Sequence, residues 1–330
     1  MPLEYIRDGD IGFIGLNSRD NPASLPKGIV SKSENFRLDR GVATVRKGLQ
    51  RKTSSTILGK TIYGTGVYID SNGQEVFIIV LTDGIVQYNP NTSVFSAKIA
   101  FPSGQTITTQ DGCDVVVAVN KVYITRGHSK RPLVWDMNSS IISLATSGTG
   151  SEFPNCTGLL YYANRLIASG QSHTLGYTPT ARSRDSVCVS NYLDFDHWHE
   201  LDVFTFNQGG NDEVVAVTPW TLNEYIVFMR NSIFYANVGS GRYATGDGIT
   251  GTTACINSLV SDIGCSAKRS VVQANGGIVF LSDAGVYFMN PTQVGSNESM
   301  RLLTNADPIS APVDDIIKRI NKQFAYRSVG

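Results

Sequence analysis

The stretch LTDGIVQYNPNT at residues 81–92 returns as LSDAGVYFMNPT at 281–292. Both copies run from an apolar stretch through a tight turn with Asp and Gly into a second apolar-aromatic stretch. That pattern is a β-hairpin signature, because the turn residues tolerate the backbone reversal and the flanks alternate. The pattern recurs in DVVVAVNKVYITRG (114–127), turning at Asn120, and in LLYYANRLIASG (159–170), turning at Asn164 and Arg165. It appears again in EYIVFMRNSIFYAN (224–237), turning at Asn231, and in ENFRLDRGVATVRKG (34–48), near Arg40.

A longer echo sets the unit. VQYNPNTSVFS starts at Val86 and VWDMNSSIIS at Val134, an offset of 48 residues. From Asp83 the successive turns lie 37, 44, 67 and 52 residues apart. A period of this length, with several strands per unit, predicts an all-β chain folded as a β-propeller of about five to seven blades. Isolated hairpins leave open edges and an apolar face, and stacking blades covers both. Residues 1–60 then form an N-terminal basic segment with the first hairpin, 61–305 the blades and 306–330 a C-terminal helix and tail. Residues 171–213 break the period and are expected to be an insertion.

Composition agrees with a folded, strand-rich chain. Of 330 residues, 41% are apolar and 17% charged, with 32 glycines. Lys+Arg and Asp+Glu balance at 28 each, so no whole-molecule attraction to nucleic acid is expected. The balance is local only: nine Lys/Arg stand against Glu34 and Asp39 between Lys27 and Lys60. No basic segment followed by an apolar run opens the chain, and no apolar stretch is long enough to cross a bilayer. Five cysteines without a C-x-x-C pair fit free thiols in a cytoplasm.

Chemistry-bearing motifs are sparse. NYLDFDHWHE (191–200) offers Asp194 and Asp196 on one strand face and His197 with His199 on another. Only His128 and His173 remain as further imidazoles, so a polar turn anchored by Trp198 is expected rather than a metal site. Asp83 and Asp283 read as turn formers. The glycine-rich GTGVY (64–68) and GSGRYATGDG (239–248) read as loops. No G-x-S-x-G, H-E-x-x-H or P-loop occurs. No catalytic residue, metal or cofactor is assigned.

SAPVDDIIKRINKQFAYRSVG (310–330) predicts a helix capped by Ser310, with Pro312 in its first turn and Asp314 and Asp315 at its positive end. Val313, Ile316, Ile317, Ile320 and Phe324 share a face that docks on the blades' rim or on a neighbouring subunit. The basic residues Lys27, Arg37, Arg40, Arg46, Lys47, Arg51 and Lys52 read as a solvated strand pair or as an interface that docks on an acidic partner or contacts phosphates.

Three segments carry a family resemblance. GLNSRDNPASLPKGIVSKSENFRLDRGVATVRKGLQR (15–51) resembles the start of many phage tail proteins. LLYYANRLIASG with RDSVCVSNYLDFDHW (184–198) resembles their strand–insert–strand unit, and GCSAKRSVVQANGGIVFLSDAGVYFMNP (264–291) a later blade. The family is the tail nozzle, or tail hub, of short-tailed bacteriophages. The resemblance implies a structural virion protein, not an enzyme, assembled in the bacterial host cytoplasm as a homohexameric ring. Portal and adaptor proteins would sit above it and tail fibres or spikes and a tail tip below. Double-stranded DNA would pass without sequence specificity and without membrane insertion. In such a ring the charge split alone predicts that the acidic remainder of the chain lines the lumen and that the basic segment 27–60 sits at a subunit or adaptor interface. Members of the family run on past a helix such as 312–324, whereas this sequence stops at AYRSVG. Two alternatives stand beside this reading. One is a propeller glycosidase or lyase acting on host surface polysaccharide through Asp194, Asp196 and Glu200, and the other a monomeric propeller binding protein or glycan.

Overall fold

The computed structural model describes residues 12–39, 41–48, 60–108, 112–137, 139–145, 153–170, 184–198, 203–207, 212–220, 224–237, 256–260, 262–274, 276–292, 301–304 and 308–330. Among them the chain is mostly strand, with a few short helical turns. Two small sheets come first. In one, β1 (Gly15–Leu16) pairs in parallel with β2 (Ile29–Val30); in the other, β3 (Phe36–Asp39) forms a hairpin with β4 (Val42–Val45).

Five antiparallel sheets follow. The first holds β5 (Gly64–Ile69), β6 (Glu75–Val80), β7 (Gly84–Asn89) and β8 (Val94–Phe95), and β9 (Ile99–Ala100) also pairs with β7. The second is β10 (Val115–Ala118), β11 (Lys121–Ile124), β12 (Leu133–Asp136) and β13 (Ile142–Leu144). The third is β14 (Gly158–Tyr162), β15 (Arg165–Ser169), β16 (Ser186–Val189) and β17 (Val203–Thr205). The fourth is β18 (Val214–Pro219), β19 (Glu224–Met229), β20 (Ile233–Asn237) and β21 (Ile256–Val260). The fifth is β22 (Val272–Ala274), β23 (Gly277–Ser282), β24 (Gly285–Thr292) and β25 (Arg301–Thr304). First strands start 51, 43, 56 and 58 residues apart, close to the offset of 48 seen in the sequence echo.

All six expected hairpins are present, and the two echoed phrases are the turns joining second to third strands in the first and fifth sheets. One boundary shifts. The loop between β14 and β15 is Ala163–Asn164, both left-handed (φ 49° and 58°), and Arg165 already pairs with Tyr162 in the strand. A two-residue loop with both φ positive matches the twist of the strands it joins.

The sheets stack side by side through alternate residues. Val122 and Ile124 of β11 pack with Ile78, Val80 and Ile85 of the first sheet, while Tyr123 between them packs with Leu166, Ala168 and Cys188 of the third. Ile167 points the other way, to Tyr225, Val227 and Met229, and Ile226 and Phe228 in turn face Ile278 and Phe280. A strand presents successive side chains to opposite faces, so sheets two to four are apolar on both. Each fully buried large side chain is worth about 1.5–3 kcal/mol.

Three expectations need correction. GTGVY is not a loop: it is β5. A Cβ on Gly64 would lie 2.5 Å from the Cys113 carbonyl oxygen, and one on Gly66 2.5 Å from a Val115 methyl, so the glycines let β10 pack closely. The stretch 171–213 is not all insertion, since Ser186–Val189 and Val203–Thr205 are strands of the third sheet; 171–183 lies outside the described residues, as does GSGRYATGDG. The C-terminal segment is not one helix. A 3-10 turn, Ala311–Val313, leads into α1 (Asp314–Ile317), and a second 3-10 helix runs over Lys322–Arg327. Asn321 breaks the run because its side chain accepts from Gln323 N and starts a new helix. Asp314 and Asp315 do occupy the first turn of α1, but Ser310 does not cap: its Oγ accepts from Val286 N, 3.0 Å away.

Candidate functional site

In each of the five sheets the first strand begins beside the end of the second, as in Gly64 opposite Val80 and Val214 opposite Met229. The connections from second to third strand therefore emerge at the end where the first strands begin. Residues just before those strands tie neighbouring sheets together there. Cys113 N donates to Tyr63 O, Gly127 bridges Cys156, and Cys265 N donates to Met229 O. Cys113, Cys156 and Cys265 are small buried residues at equivalent joints, and with Cys188 they are free thiols. Burial pushes the Cys113 thiol up to about 12 and raises Cys156 and Cys265 as well. None is a nucleophile at neutral pH, because the thiolate is the reactive form.

A cavity of about 760 Å³ opens at this end, walled by first-strand starts (Asp114, Thr157, Glu213, Lys268) and by the C-terminal 3-10 helix (Lys322, Gln323, Tyr326). Lys268 spans several sheets, forming an ion pair with Asp114 and donating to Thr157 O at 2.8 Å. Asp114 also accepts from Leu159 N at 3.1 Å. Arg269 donates through Nη2 to Cys113 O (3.2 Å) and Tyr63 O (3.4 Å), carrying the fifth sheet back to the first. Arg230, from the turn after β19, meets both carboxylate oxygens of Asp283 at 3.1 Å, and Ser266 Oγ donates to the same carboxylate at 2.6 Å. Asp283 thus joins two sheets as well as forming a turn. Its counterpart Asp83 pairs with Lys98 at 2.7 Å, and that hydrogen bond holds its carboxyl below the usual range.

The motif at 191–198 is placed elsewhere. Leu193 N donates to Asn164 O, which puts the segment beside the first-to-second-strand turn of the third sheet, at the end away from the cavity. It is a turn, not a strand. Asp194 Oδ2 lies 2.6 Å from His197 Nδ1, and Asp196 lies 3.4 Å from Lys121 Nζ. Trp198 anchors it, 1% exposed, its Nε1 donating to Phe195 O at 3.0 Å and its ring 4.8 Å from Phe153. His173, His199 and Glu200 lie outside the described residues. No group of three metal-binding side chains occurs among the described residues.

The expected interface residues fall on the terminal segments. Lys27, Arg37, Arg46 and Lys47 are exposed, while Arg40, Arg51 and Lys52 lie outside the described residues. One face of the β3–β4 hairpin carries Phe36, Leu38, Ala43 and Val45, with Phe36 52% and Val45 69% exposed. Ile316, Ile320 and Phe324 are exposed too, and Ile317 and Ile320 border a second cavity of about 530 Å³ against the β23–β24 turn. The segments at 18–19 and 312–315 meet: Ser18 N and Arg19 N donate to Pro312 O, and Ser18 Oγ to Asp315 at 2.6 Å.

The cavity's cations were not singled out by the sequence. Lys268 and Arg269 sit in CSAKRS, three and four residues past Cys265, and Asp114 directly follows Cys113; aligning the repeats by their cysteines brings these charged residues into the same short stretch.

Compared with protein families and with curated proteins, the sequence matches none. Solved structures share a distant likeness. One is an extracellular domain assigned to a hybrid two-component system of B. thetaiotaomicron, at 13% identity and TM-score 0.42, covering 82% of this chain and 32% of that one. Another, assigned to a one-component system of the same organism, has 11% identity and TM-score 0.46, covering 76% and 29%. PorZ, a surface component of the type-IX secretion system of Porphyromonas gingivalis, has 11% identity and TM-score 0.45, covering 69% and 32%. The chain spans about a third of the length of these proteins. Likeness this distant carries no functional argument.

Proposed function

We propose that the five sheets are blades of a β-propeller and that the chain is a ring-forming structural subunit of a phage tail nozzle. The first strands β5, β10, β14 and β18 lie next to one another in chain order, and Arg269 reaches from the fifth sheet to Tyr63 ahead of the first. Both observations favour blades arranged about one axis. The family resemblance supplies the tail assignment and the six-fold ring.

One observation carries the assembly reading: the terminal segments expose large apolar and basic side chains. Phe36 and Val45 lie beside Arg46 and Lys47 on a two-stranded hairpin, joined at its turn to Phe13 by a bridge at Gly41. Such hairpins are marginal alone and find their stability against a partner. In the proposed ring, this hairpin and the exposed Ile316, Ile320 and Phe324 meet a neighbouring copy or the adaptor. The subunit is mechanical: it extends a DNA conduit and performs no bond chemistry.

The test is negative-stain electron microscopy with light-scattering mass on the purified chain, alone and mixed with a portal–adaptor complex. Closed rings in either condition are expected. A monomer in both, binding nothing, would overturn the assembly reading.

A further inference from the structure

We infer that the cavity at the starts of β10, β14 and β18 binds a small molecule bearing phosphate-class oxyanion groups. The inference stands apart from the ring reading, since it concerns the inside of one subunit.

It rests on charge bookkeeping within the cavity. Among the described residues, five Lys/Arg side chains border it against two carboxylates. Three of the cations have carboxylate partners: Lys268 with Asp114, Arg230 with Asp283, and Arg184 with Glu213 at 3.7 Å. Arg269 and Lys322 have none among the described residues. Arg269 is bound only to carbonyl oxygens, which fix the guanidinium and leave its charge whole, and those bonds use a single nitrogen, Nη2. The remaining donors are held ready in a planar fork suited to an oxyanion.

The geometry keeps that fork in place. A Cβ on Gly112 (φ +75°) would lie 2.4 Å from Arg269 Nη2, so only glycine leaves room for it. The Arg269 carbonyl is in turn fixed by Gly330 N at 2.9 Å. Lys322 lines the same cavity from the C-terminal wall, as do Gln323 and Tyr326, neutral polar neighbours, and the exposed His128. A volume of about 760 Å³ exceeds what one phosphate fills and suits a diphosphate or a phosphorylated small molecule. A terminal phosphate of nucleic acid presents the same chemistry, so the experiment separates the two sources.

The experiment is titration calorimetry of inorganic pyrophosphate into the full chain at low ionic strength, repeated with short duplex DNA with and without 5′-phosphates. One saturable pyrophosphate site is expected, weakened about tenfold or more by Lys322→Gln, in line with loss of a charged hydrogen bond. Arg269→Gln should abolish it. Because Arg269 also joins sheets, Lys322→Gln, on an exposed position, is the deciding variant, and its thermal midpoint should match the parent. Lys47→Gln, on the distant hairpin, should leave binding unchanged. Selective binding of the 5′-phosphorylated duplex, also lost in Lys322→Gln, would support the site and assign its phosphate to a nucleic-acid end. The inference fails if pyrophosphate gives no saturable heat, or if Lys47→Gln and Lys322→Gln weaken binding equally.

Discussion

The third sheet and the β3–β4 hairpin use the same local grammar and meet opposite fates. Both set two strands rich in apolar residues across a tight turn. In β15, Leu166, Ile167 and Ala168 are all at most 1% exposed, because a sheet stands on either side. In the hairpin, Phe36 and Val45 remain 52% and 69% exposed, because no further sheet covers them among the described residues. Local pattern makes a hairpin; only a neighbour makes it part of a core. The difference separates the region that holds the fold from the region available for assembly.

Substituting the anchor of the sheet region should break this contrast most severely. Trp198→Ala removes a side chain 1% exposed together with its indole hydrogen bond, and is expected to cost about 3–5 kcal/mol in urea unfolding. A cost below about 1 kcal/mol would mean that 191–198 is a loose turn. The thiols sharpen the same contrast. A rise of Cys113 from its ordinary value to about 12 lowers its thiolate fraction about a thousandfold. Cys113, Cys156, Cys188 and Cys265 should therefore resist a thiol reagent at pH 8 in the native state and react at once in denaturant. Fast native labelling of more than one thiol per chain would show that the joints between sheets open.

Smaller effects are expected at the surface. The folded Asp83 carboxyl is depressed by Lys98, so its contribution is present above the unfolded value and lost as pH falls through the folded one. The pair is well exposed, so Asp83→Asn should cost less than about 1 kcal/mol at pH 7 and nothing at a pH low enough to protonate the folded carboxyl, in acid-titrated thermal melts. An equal loss at both pH values would make the effect structural rather than ionic. Least of all, Phe36→Ser with Val45→Ser should change monomer stability by under about 0.5 kcal/mol while abolishing ring formation. A large loss of monomer stability would place the hairpin with the sheets.

The repeat was legible because its turns are short and its strands alternate: Asn120, Ala163–Asn164, Asn231 and the two Asp-Gly-type turns mark every sheet of the body. Glycine misled at 64–68, where it serves close strand packing rather than a loop. Polar residues hid β16 and β17, whose neighbours in the sheet come from elsewhere in the chain. The C-terminal stripe had helical spacing, but spacing carries no information about Asn321 capping a new helix. The cavity was illegible for a different reason. Tyr63, Asp114, Thr157, Arg230, Lys268 and Lys322 meet only after five sheets have been stacked, and no window of sequence contains more than two of them.

The placement of the second-to-third-strand connections has a further consequence. All five leave the sheets at one end, so a connection can gain or lose residues there without altering the register of any pair of strands. Differences among descendants of such a chain would accumulate on that rim while the stack beneath stayed constant. The long excursion between β15 and β16 is placed where a lineage could refit its docking partner by changing length alone.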